Sequence, residues 1–432
     1  MQSERARFFS EEQWTGGVIG LGYVGLPLAV TMVQNGLKAI GFDRSPQRVA
    51  MLEKGVSPVE DISDEELQAA LDKGLRITAD EAELSGADAV FICVPSPLGR
   101  HREPDLSYIK AAAATISEIA GPGMLVSLES TTYPGTTEDI LVPAVAAAGL
   151  ELDRDVFVAF SPERVSPGAE MKTGDIPKVV GGVSPVSTKV AAAAYGRVVA
   201  SVHPVSSARS AEMAKLLENT YRAVNIGLVN EMAQLAHELE IDIWEVIDAA
   251  ATKPFGFQAF YPGPGVGGHC IPLDPQFLAW RAKEANFAIR FIDLAEQVNT
   301  KMPGYTAARV ADLLNSHGKP VFGTRILGVG IAYKPDVADD RESASIEVLR
   351  ELQRRGAEIS VLDPVVGAER IASHGFAAVA PDAPFHSHAI AVILTDHGVL
   401  DLDRIAAEVP IVLDARGAYR RSGSEPGNVV AL

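Results

Sequence analysis

Polar and apolar positions change period along the chain. Between residue 18 and about residue 200, short apolar runs at 18–20, 37–43, 89–94, 124–129, 157–160 and 198–202 alternate with stretches of helical periodicity. Strands that alternate with helices predict βαβ units, and hence a parallel sheet with helices on both faces. Residues 206–241 contain no proline, and Met213, Leu216, Leu217, Tyr221, Val224, Leu228, Met232 and Leu235 recur every three or four positions. That spacing predicts one helix, long for a globular protein. A second helical stretch and a Gly/Pro-rich loop at 261–269 follow, and the alternation restarts near Gly323. Strands are expected at 325–329, 358–362, 390–394 and 411–413, with a helix over 344–355. The pattern predicts two parallel-sheet α/β domains, 1–203 and 319–432, joined by a central helical domain, 204–318, that contains the long helix.

One stretch, 15–37, has no charged residue and is long enough to cross a bilayer. Its Gly16, Gly17, Gly20, Gly22, Gly25, Pro27, Gln34 and Asn35 instead suit a buried strand turning tightly into a helix. Within it, Val18-Ile-Gly-Leu-Gly-Tyr-Val-Gly25 reads Gly-x-Gly-x-x-Gly directly after the strand. Gly20 permits the tight turn, Gly22 admits a pyrophosphate to the backbone, and Gly25 lets helix and strand pack closely. Asp43 ends the second strand about eighteen residues past Gly25, where a ribose-binding carboxylate belongs. The first domain is therefore Rossmann-like. Asp43 would repel the 2′-phosphate of NADP, so NAD is the expected cofactor, although Arg44 and Arg48 are of the type that favours that phosphate.

Composition narrows the class. A chain of 432 residues, 47% hydrophobic and 22% charged, has the length of two or three domains and is not disordered. With 38 Lys plus Arg against 56 Asp plus Glu, the net charge of −18 argues against nucleic acid or membrane as partner, so a polyanion would need a local pocket. Residues 1–14 hold Glu4, Arg5, Arg7, Glu11 and Glu12 and no apolar run, which makes the cytoplasm the expected location. Of the two cysteines, Cys93 sits in an apolar strand and is expected in the core. Cys270 ends the loop Pro262-Gly-Pro-Gly-Val-Gly-Gly-His-Cys270, just ahead of Asp274. A thiolate there can attack an aldehyde and carry a thioester, while burial in a loop is the ordinary alternative. No further Cys or His cluster accompanies His269, so no metal site is expected. Lys215 and Asn219 lie one turn apart on the long helix with Arg222 nearby, a pair able to stabilise an oxyanion or simply to cover a solvated face.

Six ordered motifs give these residues a common reading: Gly20-Leu-Gly-Tyr-Val-Gly-Leu-Pro27, Glu129-Ser-Thr-Thr-Tyr-Pro-Gly-Thr136, Ser161-Pro-Glu-Arg-Val165, Ala211-Glu-Met-Ala-Lys-Leu-Leu-Glu-Asn219, Gly267-Gly-His-Cys-Ile-Pro272 and Tyr333-Lys-Pro-Asp336. Together they resemble the UDP-glucose/GDP-mannose dehydrogenase family over nearly the whole chain. The resemblance implies a cytoplasmic, NAD-dependent oxidoreductase of polysaccharide biosynthesis, a homodimer or higher homo-oligomer built on the long helix. Its C-terminal domain would be Rossmann-like and bind a nucleotide-diphosphate sugar. It implies a double oxidation of the sugar C6 alcohol to a carboxylate, with Cys270 as nucleophile. Lys215 and Asn219 would stabilise the oxyanion, Asp274 and Thr131 would position water or take a proton, and Glu163 would be the base for thioester hydrolysis. Cofactor contacts are implied at Gly20, Leu21, Gly22, Tyr23, Val24, Gly25, Asp43, Arg48, Pro95, Ser96, Ser130, Thr131, Thr132 and Arg341. Substrate contacts are implied at Glu163, Arg164, Lys215, Asn219, Tyr261, Gly263, Gly265, Gly267, Lys334 and Arg416.

Departures bear on the substrate. His269 replaces the serine of the glucose branch, and Phe260-Tyr-Pro-Gly-Pro-Gly-Val-Gly-Gly-His-Cys270 is more similar to enzymes acting on UDP-N-acetylhexosamines, UDP-N-acetylglucosamine above all. UDP-glucose or dTDP-glucose is the alternative sugar. Lys253 is the nearest cation to the missing glucose-branch arginine, Asp339-Asp-Arg341 departs from the acid-Leu-Arg order, and Ala344 stands where many relatives have proline. Two other readings stay open: a two-electron dehydrogenase of the 6-phosphogluconate or 3-hydroxyacid type, and a catalytically idle nucleotide-sugar-binding protein.

Overall fold

The computed structural model describes residues 2–59, 61–99, 102–164, 173–424 and 426–432. Val165, the last residue of one motif, lies outside them. The chain forms two compact units: residues 1–218 with 276–287, and residues 219–275 with 288–432.

The first unit is built on strands β1 (Thr15–Ile19), β2 (Lys38–Phe42), β3 (Leu75–Thr78), β4 (Ala89–Ile92), β5 (Met124–Leu128), β6 (Val156–Phe160), β7 (Lys178–Gly182) and β8 (Val202–Pro204), in the order β3-β2-β1-β4-β5-β6-β7-β8. The first six follow the 3-2-1-4-5-6 order of a dinucleotide-binding sheet. Alternate residues feed two separate cores: Val18, Phe91 and Phe157 on one face, Ile19, Ile92 and Val158 on the other. Both faces are thus covered by helices, which explains why the strands read as continuous apolar runs. Helix α1 (Gly25–Gln34) leaves the glycine loop after β1.

Two differences from the sequence expectation have physical causes. The sheet is not wholly parallel, because β7 runs antiparallel to β6; no α-helix lies between them among the described residues, and an antiparallel neighbour needs no helical crossover. The apolar run at 198–202 is not a strand until Val202. Val198 and Val199 instead donate their N–H groups to the Tyr195 carbonyl and fill the core beneath the preceding helix. Strands β3 and β7 had no clear signal, since one contains exposed Arg76 and the other opens on Lys178 and closes on two glycines.

The second sheet contains β9 (Arg325–Val329), β10 (Glu358–Leu362), β11 (Ala377–Ala378), β12 (Ile390–Ile393), β13 (Val412–Asp414) and β14 (Val429–Ala431). Its order, β11-β10-β9-β12-β13-β14, repeats that of the first six strands, and every pairing is parallel. The likeness reaches the loops. Gly20 N–H donates to Phe42 O and Gly330 N–H to Leu362 O, each at 2.8 Å, and both glycines have positive φ, +94° and +82°. A β-carbon on either would collide with the backbone at the end of the adjacent strand, at Cys93 O and Thr395 O.

In chain order, α2 (Ala208–Glu238), α3 (Ile243–Ala251), α4 (Asp274–Glu284) and α5 (Arg290–Ser316) come after β8 and before β9, and α6 (Ala344–Arg354) follows β9. Helix α2, 31 residues long, begins in the first unit and continues into the second. Of its periodic apolar residues, Leu216 is buried, whereas Met213, Leu217, Tyr221, Leu228, Met232 and Leu235 are exposed in the single chain. No helix of the described residues is long and apolar enough to cross a membrane.

Candidate active site

The glycine loop meets the geometric demands of a dinucleotide. A β-carbon on Gly25 would lie 1.9 Å from Gly20 O, so only glycine lets α1 start against β1. Around Gly22 the space is open, with the Arg48 guanidinium nearest at 3.7 Å from the same kind of β-carbon. Asp43 accepts the Leu21 N–H at 3.0 Å on Oδ2 and the Ser45 N–H at 2.9 Å on Oδ1. Each oxygen retains capacity for a ribose hydroxyl. The Leu21 side chain is fully buried, so only its backbone can face a ligand, while Tyr23 is exposed and Val24 half-buried. Arg48 reaches both Asp43, at 3.6 Å, and Leu21 O, at 3.5 Å. After β4, Pro95 is exposed and Ser96 half-buried. Ser130 donates to Val94 O at 2.7 Å, and Thr132 donates to Thr136 Oγ1 at 2.6 Å, which turns both hydroxyls inward; Thr131 between them is half-buried.

The same unit holds Glu163 and Lys215. Lys215 Nζ donates to Glu163 O at 2.6 Å and to its Oε2 at 3.3 Å, and both side chains are nearly buried. Glu163 Oε1 and Ser161 Oγ are buried without a hydrogen-bond partner among the described residues. Arg164 is spent on Glu218, at 2.7 and 3.3 Å, and on Pro177 O at 2.8 Å. Glu163 and Arg164 line a narrow recess together with Val24, Leu28, Glu129 and Lys178. Its Glu129 and Lys178 form a buried ion pair, and Tyr195 donates to the other Glu129 oxygen at 2.7 Å. Sequence reasoning missed this pair; a lysine at the head of an otherwise apolar strand was the available signal. Cys93 lies close by in the core, where burial, and then the Glu129 charge, push its thiol pKa well up and keep it protonated.

In the second unit, Cys270 is half-buried and its carbonyl receives the Asp274 N–H at 2.8 Å. Asp274 Oδ2 in turn accepts from Asn219 Nδ2, and Asn219 Oδ1 accepts from Arg222. The Asn219 amide is therefore oriented from both ends. Burial, then the Arg341 charge, lower the pKa of the neighbouring His269, which favours the neutral ring. The glycine loop ahead of Cys270 packs closely on protein. A β-carbon on Gly268, at φ +84°, would be 2.9 Å from the Tyr333 ring, and one on Gly267 2.8 Å from Glu342 O. Gly265 meets Ala344 and Pro303, and Gly263 meets the Arg416 guanidinium. Gly263 N–H donates to buried Asn230 at 3.0 Å. Lys334 lies in the loop after β9, with Nζ 5.9 Å from the Tyr333 ring centroid. Arg416 donates to Leu394 O at 2.7 Å. Arg341 grips Asp339 through two nitrogens, at 2.8 and 2.5 Å. Tyr261 stacks on Trp244, centroids 5.3 Å apart, and donates to Asp248 at 2.9 Å.

Comparison with known proteins agrees with this layout. Residues 16–199 match the NAD binding domain of the UDP-glucose/GDP-mannose dehydrogenase family, 209–301 its central domain and 327–421 its UDP binding domain. The chain belongs to the UDP-glucose/GDP-mannose dehydrogenase family. It is thereby a nucleotide-sugar dehydrogenase with NAD as cofactor, and the open face at Gly22 and the acid at Asp43 fit that cofactor. Among relatives, Protein CapL of Staphylococcus aureus is 38% identical over 349 residues, 80% of this chain and 81% of its own. The UDP-N-acetyl-D-glucosamine 6-dehydrogenase of Pseudomonas aeruginosa is 34% identical over 380 residues, 87% and 89%. The solved structure of a UDP-D-ManNAc dehydrogenase from Pyrococcus horikoshii superposes with a TM-score of 0.86 at 30% identity, covering 96% of this chain and 98% of that one.

Proposed function

We propose that the chain oxidises the C6 alcohol of a UDP-N-acetylhexosamine, UDP-N-acetylglucosamine first among them, to the uronate in two NAD-dependent steps through a Cys270 thioester. The observation that supports this most directly is the hydrogen-bonded turn in which Asp274 bonds both the Cys270 carbonyl and the Asn219 amide. Asp274 thus links the two through one residue, its N–H to the backbone of the nucleophile and its carboxylate to the oxyanion donor, which holds them in fixed relation, as covalent catalysis requires.

NAD, when bound, takes up the hydrogen and electron pair that leave C6 in each oxidation. The first oxidation yields the aldehyde, whose departing hydroxyl proton passes to water ordered by Asp274 and Thr131. The Cys270 thiolate then forms a C–S bond to the aldehyde carbon, and Lys215 and Asn219, a turn apart on α2, stabilise the oxygen of the resulting thiohemiacetal. The second oxidation leaves a thioester. Glu163 takes a proton from water, the hydroxide attacks the carbonyl, the C–S bond breaks to release the thiolate, and the new carboxylic acid gives its proton to solvent to leave the carboxylate. Lys334 and Arg416 would meet the diphosphate as cations on an otherwise acidic protein. Residues 1–203 would serve NAD, 204–318 the dimer and the cysteine loop, and 319–432 the nucleotide sugar. The acceptor capacity of Asp43 supports the cofactor end of this division. Exposed Leu228 and Leu235 on α2 and Leu239 just after it support a homodimer, and an NAD-linked enzyme with two reduced thiols suits the cytoplasm.

The test is NADH produced per sugar consumed, across UDP-N-acetylglucosamine, UDP-N-acetylmannosamine, UDP-glucose, dTDP-glucose and GDP-mannose. Two NADH per UDP-N-acetylhexosamine is expected, and one would favour the two-electron alternative. Cys270→Ser should lower four-electron turnover by about a thousandfold or more, as loss of a covalent nucleophile does. Two full NADH at an undiminished rate would reject the thioester.

A further inference from the structure

The loop at 330–336, which carries Lys334, is held at its start by a buried carboxylate and at its far end by a histidine that bonds the same carboxylate. At its start, Ile331 and Ala332 donate their N–H groups to Asp363 Oδ2, at 2.7 and 3.2 Å. The other oxygen, Oδ1, receives Val365 and Val366 N–H at 3.0 and 2.8 Å. At its far end the loop turns through Asp336, a non-glycine residue at φ +60°. That left-handed conformation is disfavoured by its β-carbon and persists only where the surroundings impose it. Two contacts do so: Asp336 N–H donates to His397 Nδ1 at 2.9 Å, and Gly398 N–H donates to Asp336 Oδ1 at 2.8 Å. Because Nδ1 accepts, the neutral ring carries its proton on Nε2, which lies 3.2 Å from Asp363 Oδ2 and donates to it. Neither the His397 nor the Asp363 side chain has exposed surface.

The equivalent acid of the first sheet behaves differently. Asp43 holds one amide of its glycine loop and keeps acceptor capacity for a ribose. Asp363 faces five donors, more than the roughly four lone-pair sites of a carboxylate, so it has none left for a ligand. In the second sheet, the imidazole of His397 takes up an acceptor of the acid and links it to Asp336.

We infer that His397 is a positioning residue for nucleotide-sugar binding: oriented by Asp363, it clasps the end of the 330–336 loop and so presents Lys334 to the diphosphate. The inference rests on the reading above that Lys334 meets that diphosphate. His397→Gln keeps a polar side chain but cannot span Asp363 and the Asp336 N–H together. It should raise KM for UDP-N-acetylglucosamine and the inhibition constant of UDP by about tenfold, the usual scale for losing one ordered charge-linked contact. The NAD KM should not move, and kcat should change by less than about twofold, since the bond lost does not touch the reacting carbon. Asp363→Asn presents an N–H to a donor and should give the same phenotype. The double variant should be no worse than the poorer single one, because each breaks the same clasp. Asp336→Gly, on the exposed side, removes the bond from Gly398 and frees the backbone at 336 without disturbing the core, so it loosens the clasped end and should raise the same constants even where the buried variants fold poorly. Amide exchange at 331–336 should quicken in all three while that at 20–24 stays unchanged. Wild-type KM for the sugar in His397→Gln and Asp336→Gly would overturn the inference, as would equal losses toward NAD and sugar. Lys334→Ala separates the two readings: an unchanged sugar KM there refutes the diphosphate contact, whereas unchanged amide exchange in His397→Gln refutes the clasp.

Discussion

At the residue scale, what each polar side chain can do depends on how many of its hydrogen-bonding positions protein already occupies. Asp43 and Asp363 sit at the same place in two like sheets, and only Asp43 retains acceptors for a ligand. Asp43→Asn should therefore lower kcat/KM with NAD by about tenfold through loss of the charged acceptor to the ribose. It should raise NADP use at the same time, because the charge opposing a 2′-phosphate is gone and Arg44 and Arg48 remain. Steady-state kinetics with both cofactors give the ratio, and an unaltered NAD-to-NADP preference would remove Asp43 from cofactor choice. The pKa of Asp363 illustrates the same accounting: burial raises it, and the bonds from His397, Val366 and Ile331 outweigh burial and leave it below the ordinary 3.8. Its contribution to stability is thus present above that value and is lost as pH falls through the lower folded one.

At the scale of elements, α2 is where periodicity and burial part company. Its repeat every three or four residues was legible, but the repeat alone does not say what covers the apolar face. Leu228 is 53% exposed and Leu235 50% on a helix whose Leu216 and Ala233 are buried, and Leu239, just past its end, is 57% exposed. A row of large apolar side chains in water is the mark of an interface, and the homodimer proposed above would cover it. Leu228→Glu with Leu235→Glu should convert the dimer to a monomer in size-exclusion chromatography with light scattering. An unchanged mass would move the interface elsewhere. Helix α5 carries Pro303 in its interior, against which Gly265 of the cysteine loop packs. That contact was not legible, because a proline within a helical pattern reads only as a break.

At the scale of the whole molecule, the chain carries a net charge of −18 and yet has the NAD binding and UDP binding domains of its family, both for anionic ligands. Ligands that bind different folded regions stabilise those regions by mass action, about 2.7 kcal/mol at a hundred times Kd. NAD should slow amide exchange around 15–45 and UDP around 327–421, with little effect in the other region. Protection of the same region by both would contradict the proposed division of labour. The α/β class, the doubled strand-and-helix alternation and the dinucleotide loop were determined by sequence alone, because periods of two and 3.6 and a Gly-x-Gly-x-x-Gly turn are local properties of consecutive residues. The order of the second sheet was not, since strands as short as Ala377–Ala378 leave no pattern. Tertiary structure decided which distant groups meet: Asn219 oriented by Asp274 and Arg222, Glu129 buried with Lys178, and His397 set between Asp363 and Asp336. The physical reason is that a hydrogen-bond partner is chosen by position in space, and these partners lie up to 61 residues apart in the chain.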